Sequence, residues 1–271
     1  MARVRIIGAG RAGTSMARAL RSVGHTVDGP LARGAELAQA ADEVDAVIIA
    51  TPDGQISEVA RAIRPSMSCV VLHLSGSLGL DVLGAHPLRA ALHPLVPLPT
   101  AELGAERLVS GVTFAVAGDP LAAELVASLG GTMVTVADDD RARYHAAACV
   151  AANHVVALLG QVERIAASAG LPVDAFLDLA RCAVDDVAVL GPKRALTGPA
   201  ARGDWATLER HLEAIPASER AGYRAGVGLA LELSAVALTP AMAAAEVVDE
   251  PLEEPVDELY EVRAASIASL A

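Results

Sequence analysis

An α/β domain built on a mostly parallel sheet, followed by an all-helical domain, is the fold class the sequence predicts. Three observations carry it. The apolar run Val4-Arg5-Ile6-Ile7 leads straight into Gly8-Ala9-Gly10-Arg11-Ala12-Gly13 and then into residues with apolar positions at helical spacing. Further continuous apolar runs, at residues 45–50 and 69–74, alternate with helical patterns, as strands covered on both faces do. Strand signals then stop near the acidic triplet Asp138-Asp139-Asp140.

The opening stretch is a strand, a tight glycine turn and a helix in immediate succession. That context converts a weak Gly-x-Gly-x-x-Gly pattern into a dinucleotide fingerprint, and the sheet into a Rossmann-type doubly wound one. Gly8 permits the sharp turn, Gly10 lets backbone N–H groups approach a pyrophosphate, and Gly13 lets the helix pack on the strand. With Ala9, Arg11 and Ala12 they form the expected cofactor-binding turn, at a helix N-terminus whose partial positive charge suits phosphate. Gly24 fits the C-terminal cap of this first helix.

The second strand is expected over residues 25–31. An NAD enzyme of this architecture usually carries an acid at that strand's tip, on the ribose 2′-hydroxyl. Asp28 is the only local acid and falls about three residues short of the tip. The tip reads Leu31-Ala32-Arg33-Gly34, which suits a 2′-phosphate. The expected cofactor is therefore NADP, with Arg33 as its contact; otherwise Arg33 is a solvated loop residue. Residues 45–50 form a buried strand that Pro52 stops, placing Thr51, Pro52 and Asp53 at the ligand-binding edge of the sheet, before a helix over 55–63. Strands over 69–74, 90–95, 112–116 and 132–136, with a helix over 120–129, complete this half.

Beyond it the periodicity is helical. The acidic triplet should cap a long helix over 141–169, closed by Gly170-Leu171-Pro172. Further helices are expected over 173–190, 205–214 and 218–238, with 196–204 a loop of turn residues. The last stretch is rich in Asp and Glu and reads as a solvated, partly ordered tail. The expected division is a dinucleotide-binding domain over 1–137, a helical substrate and dimerisation domain over 138–246, and the acidic tail over 247–271.

The bulk numbers agree with such a protein. At 271 residues two domains are expected, and 53% hydrophobic content with 2% aromatic gives an Ala-rich core. No uncharged apolar run reaches the roughly 18–20 residues that span a bilayer, and the first residues read as a strand, so neither membrane span nor leader is expected. The three scattered cysteines, Cys69, Cys149 and Cys182, suit a reducing cytoplasm. A net charge of −12 without a basic run argues against nucleic acid or anionic membrane as partners. No histidine has metal-ligand spacing with acids or cysteines, so no metal is expected.

On a helix, residues four apart fall about 40° from alignment, so His145, Cys149 and Asn153 share one face. His145 is the titratable group there suited to proton transfer near neutrality, and Asn153 could hold a substrate oxygen. Alternatively His145 caps a neighbouring helix and Asn153 satisfies buried backbone. Ser75 and His93 follow strands at the binding edge and either line the pocket or fix loops. Around the Thr197-Gly198-Pro199 loop stand Lys193, Arg194 and Arg202. One of these, Arg202 first, is a candidate clamp for a substrate carboxylate beside Thr197, or else forms a surface or dimer salt bridge.

A dinucleotide domain followed by helices resembles the β-hydroxyacid dehydrogenase superfamily. Leu74-Ser75-Gly76, Leu92-His93-Pro94-Leu95, Tyr144-His145-Ala146-Ala147-Ala148 running to Ala152-Asn153-His154, and Leu196-Thr197-Gly198-Pro199 with Ala201-Arg202-Gly203-Asp204 narrow the match. Together they resemble the Rossmann-like reductase branch with a dedicated helical C-terminal domain, which includes alternative ketopantoate reductases. The resemblance implies hydride transfer from NADPH to the carbonyl of 2-dehydropantoate, in pantothenate synthesis, by a homodimer. An imine reductase of the pyrroline-5-carboxylate type and a non-catalytic NADP-binding regulator are the alternatives. Many superfamily members carry Lys-x-x-x-Asn where this chain has Cys149-Val150-Ala151-Ala152-Asn153, so the usual proton donor is missing.

Overall fold

The computed structural model describes residues 1–234. The first half runs β1 (Arg3–Ile7), α1 (Arg11–Ser22), β2 (Thr26–Leu31), β3 (Ala46–Ile49), α2 (Asp53–Ala62) and β4 (Val70–His73). After a 3-10 turn at Leu80–Leu83 come β5 (Arg89–Pro94), α3 (Ala101–Leu108), β6 (Thr113–Gly118), α4 (Pro120–Ser128) and β7 (Thr132–Thr135). The seven strands form one sheet in the order β2-β1-β3-β4-β5-β6-β7. All neighbours are parallel except β5 and β6. The chain leaves β1 to one side for β2 and returns to its other side for β3, which puts a topological switch point at the carboxyl ends of β1 and β3.

Each face of the sheet is covered. On one face Met16, Ala17 and Leu20 of α1 pack with Leu108 of α3 and Leu125 and Val126 of α4. On the other, Ile56 and Ala60 of α2 pack with Ala40, Ala41 and Val44. β3 and β4 are buried along their whole length, which explains their unbroken apolar runs. The glycine turn sets the spacing between α1 and β1. Gly8 has φ +111°, and a Cβ at Gly13 would lie 1.9 Å from the Gly8 carbonyl oxygen. A Cβ at Gly10 would meet nothing within 4 Å.

The helical half begins with a 3-10 turn at Asp138–Asp140 and continues as α5 (Arg141–Cys149), a π-turn (Val150–His154) and α6 (Val155–Ser168). α7 (Asp174–Leu190), α8 (Pro192–Ala195), α9 (Gly198–Arg202), α10 (Trp205–Ala214) and α11 (Arg220–Leu233) follow. Several expectations need correction. The acidic triplet does not cap α5 with a side chain; Asp138 instead pairs with Arg141 and Asp140 with Arg143, one helical turn on. The stretch 196–204 is not a plain loop, since Gly198 and Pro199 open and left-handed Gly203 ends the short helix α9. α2 begins two residues early, directly after Pro52. α3 was not foreseen, although Thr100 is an N-cap that accepts from the Leu103 N–H. The end of the helix expected to reach residue 238 and the acidic tail lie outside the described residues.

The chain divides into two compact units at Gly160/Gln161, not at residue 138. The reason is local: α5 packs on the sheet-edge loops, with Asp138 against Gly79 and His145 against Gly76. In the second unit Ala200, Leu208, Val227 and Leu231 form a small core with Trp205 and Tyr223 around it. A two-point ion pair from Arg164 to the buried Glu219 (2.6 and 3.1 Å) ties α6 to the turn before α11. α7 buries none of its residues and exposes Leu179, Val184 and Val189. Within Asp138–Ser168 one 18-residue window has a mean hydropathy of 1.3, which is long and apolar enough to cross a membrane by length and composition only.

Gly13→Ala is expected to destabilise the protein by about 1–3 kcal/mol or more, several degrees in Tm, because backbone must move to admit the methyl. Gly10→Ala should leave Tm within about a degree of wild type. Thermal unfolding of the two variants checks this; equal midpoints for Gly13→Ala and wild type would contradict it.

Candidate functional site: a glycine-turn crevice and a histidine pocket on one sheet edge

Because β1, β3, β4 and β5 run parallel, their carboxyl ends lie along one edge of the sheet. Gly8, Thr51, Ser75 and His93 all stand at that edge. Two cavities open there, both within the first unit.

The first is a crevice of about 550 Å³ lined by Gly8, Ala9, Gly10, Arg33, Thr51 and Pro52, among others. Gly10 is the N-cap of α1 and supplies no side-chain acceptor, so the first N–H groups of the helix are left for a ligand. The Thr51 hydroxyl is buried and has no hydrogen-bond partner among the described residues. Such an orphan needs an acceptor or donor from outside the chain. Arg33 is exposed and makes no side-chain hydrogen bond or ion pair with the described residues. Asp28, by contrast, is held inside β2 by Arg5 at 3.1 Å and Arg3 at 3.2 Å. The one acid bordering the crevice is Glu58. Arg11, Ala12 and Gly13 do not line it: Arg11 is exposed on the first turn of α1, Ala12 packs on the core, and Gly13 is buried against the turn. These residues fit a dinucleotide, with unfilled N–H donors where a pyrophosphate would rest and a free guanidinium at the ribose end.

The second cavity, about 450 Å³, is lined by His93, Leu95, His145, Cys149, Asn153 and Val156, with further small apolar residues. It gathers three residues expected to share a face. The π-turn widens the helix there, so that Ala151, Ala152 and Asn153 all border the cavity. The His93 and His145 rings meet edge to face, with centroids 5.8 Å apart. Gly76 wedges between them: a Cβ there would lie 2.7 Å from His145 Cδ2 and 2.9 Å from His93 Nε2. Cys149 Sγ lies 4.0 Å from His145 Nε2.

Other groups hold this pocket. The Tyr144 hydroxyl lies 2.7 Å from His93 Nδ1. Burial, with help from His145, pushes the His93 pKa down to about 4, so its imidazole is neutral at physiological pH. His73 is wholly buried, bonded to the Gly79 carbonyl and the Ser75 N–H, and burial lowers its pKa too. Ser75 fixes the loop instead of presenting its hydroxyl to the cavity. It donates to Asp53 Oδ2 at 2.7 Å and accepts from the Ser77 and Leu78 N–H groups. Arg141 is 1% exposed; its Nε reaches Asp138, while Nη1 and Nη2 are buried without a partner among the described residues.

Thr197 and Arg202 belong to the second unit, at the N-cap and last turn of α9, and both are exposed. Sequence reasoning placed Asp53 at the binding edge but gave it no partner, and did not single out His73, Arg141 or Tyr144 as site groups. Of these three, Tyr144 carried a signal, as the neighbour of His145 in the same motif. Among the described residues, no group of three or more His, Cys, Asp or Glu could hold a metal.

The architecture is that of a Rossmann-type domain followed by helices, and comparison with known proteins gives the same fold. The family described as a Domain of unknown function (DUF2520) matches residues 109–228. A Bacteroides fragilis protein, described provisionally as an NADP oxidoreductase, is 23% identical with a TM-score of 0.69, covering 85% of this chain and 98% of its own. Pyrroline carboxylate reductase of Plasmodium falciparum, with NADP bound, is 14% identical with a TM-score of 0.58, covering 86% and 98%. A reductive aminase of Aspergillus terreus, in complex with NADPH and ethyl levulinate, is 16% identical with a TM-score of 0.62, covering 86% and 94%. No curated protein matches the sequence.

Proposed function

We propose that this chain is an NADPH-dependent reductase of a small 2-keto acid, 2-dehydropantoate first. The observation that carries the reading is the shared sheet edge: the glycine-turn crevice and a pocket of two histidines and an amide open along it. When bound in the crevice, the reduced cofactor supplies a hydride to the carbonyl carbon. The chain's own groups must then place that carbon, protonate the oxygen and exclude water. His145 gives the proton to the developing alkoxide, and Asn153 hydrogen-bonds the same oxygen. Cys149 stands where related reductases carry a lysine, and its sulfur borders His145, so the imidazole takes over the lysine's task. Arg202, with Thr197, is the proposed holder of the substrate carboxylate.

Three features of the crevice support NADP over NAD: Arg33 is free, Asp28 is occupied by two arginines, and no acid stands at the tip of β2. Arg33→Ala should weaken NADPH binding about tenfold and leave NADH binding unchanged, as fluorescence titration of both cofactors would read. An unchanged NADPH/NADH ratio contradicts the role of Arg33.

Oxidation of NADPH with 2-dehydropantoate should exceed that with pyrroline-5-carboxylate, and His145→Ala should lower kcat about 10²–10³-fold without altering cofactor affinity. Faster turnover of the imine favours the imine reductase reading. Tight NADPH binding with no turnover of either favours a regulator, and wild-type kcat in the variant removes His145 from the chemistry.

We also infer a homodimer, supported by α7, whose apolar Leu179, Val184 and Val189 are left open to solvent. Sedimentation should give twice the chain mass, and Leu179→Glu with Val184→Glu should halve it. A wild-type monomer at micromolar concentration contradicts the dimer.

A further inference from the structure

The Tyr144–His93 pair carries an inference that rests on the proposed reductase activity for its ligand. His93 sits at the carboxyl end of β5, with Nδ1 turned to the Tyr144 phenol at 2.7 Å and its ring on the wall of the histidine pocket. Among the described residues the phenol has no other hydrogen-bond partner, and the bond can run either way with the tautomer; with the phenol donating, Nδ1 accepts. A neutral imidazole that accepts at Nδ1 carries its hydrogen on Nε2. Nε2 has no hydrogen-bond partner among the described residues, is not fully buried, and sits beside Gly76 on a ring that lines the cavity.

We propose that Tyr144 is a positioning residue that locks His93 as the Nε2–H tautomer, so that His93 offers the pocket a neutral donor selecting a carbonyl oxygen over a protonated imine. The selection follows from hydrogen-bond inventory. A carbonyl oxygen, and still more the alkoxide formed from it, accepts an N–H. An iminium nitrogen has no lone pair and presents its own N–H, so it would face His93 donor to donor. The charged and titratable groups around His93 agree. Tyr144, His145 and Arg141 approach it from α5, Asp53 from α2 and His73 from β4. The buried guanidinium of Arg141, with two unpartnered nitrogens, favours negative charge nearby and opposes a cation. Burial keeps His93 neutral far below neutral pH, so the donor persists throughout the working range.

Nitrogen-15 correlation NMR of the full-length protein reads the tautomer directly, with the His93 signals assigned from their absence in His93→Gln. Wild-type His93 should show a protonated Nε2 and an unprotonated Nδ1, unchanged from pH 8 to 6. In Tyr144→Phe it should become a mixture of tautomers, with circular dichroism unchanged. With NADPH saturating, Tyr144→Phe should lower kcat/KM for the keto acid about tenfold and leave that for the cyclic imine nearly unchanged. A protonated Nδ1 in wild type, an imidazolium appearing near pH 6.5, or a tautomer untouched by Tyr144→Phe would overturn the lock. Equal losses on ketone and imine would overturn the selection. If wild type reduces no carbonyl, the reductase reading fails with the selection, whereas the tautomer result judges the Tyr144–His93 lock without turnover.

Discussion

The closeness of α1 to β1 is the constraint on which the rest of the molecule depends. Two backbone segments meet at Gly8 and Gly13 with no room for a methyl group between them. That contact aims the N-terminus of α1 at the carboxyl end of β1 and leaves Gly10 facing open space. It also seats Met16, Ala17 and Leu20 in the core over the sheet. A larger residue at Gly13 would lift the helix from the strand, losing apolar burial and widening the crevice together. Stability and ligand geometry are thus set by the same few atoms.

The second principle is the gathering of strand ends. Parallel strands bring their carboxyl termini to one edge, so residues distant in sequence become neighbours without any special loop. β3 delivers Thr51, β4 the Ser75–Gly76 loop, and β5 His93. α5 then closes over that loop and adds Tyr144 and His145. The resulting pocket is walled by two imidazoles, one of them neutral, and one amide, with the buried guanidinium of Arg141 acting on His93 from α5. Such a setting favours a group that gains negative charge during reaction, as a reduced carbonyl does.

Much of this was legible in the sequence because it is local. The glycine turn, the unbroken apolar strands, the left-handed cap after α1 and the shared face of His145, Cys149 and Asn153 all follow from spacing within a few residues. What escaped depends on contacts across the fold. Arg141 entered the sequence reading only as the start of the long helix, yet it is buried because α5 lies on the loop after β4. Tyr144 finds His93 across 51 residues, a pairing no periodicity encodes. The boundary between units moved for the same reason, since the first turns of the long helix pack with the sheet. The acidic triplet resembled a cap but its carboxylates found arginines one turn along. Ser75 was read correctly as an edge residue, while the carboxylate that occupies its hydroxyl comes from α2.

The proposed reductase needs a phosphorylated dinucleotide across the carboxyl ends of β1 and β3. A crystal structure of the protein grown with NADPH should show the pyrophosphate within hydrogen-bond distance of the backbone at Gly10 and the 2′-phosphate beside Arg33. A cofactor bound elsewhere, or a crevice that stays vacant at saturating NADPH, would contradict it.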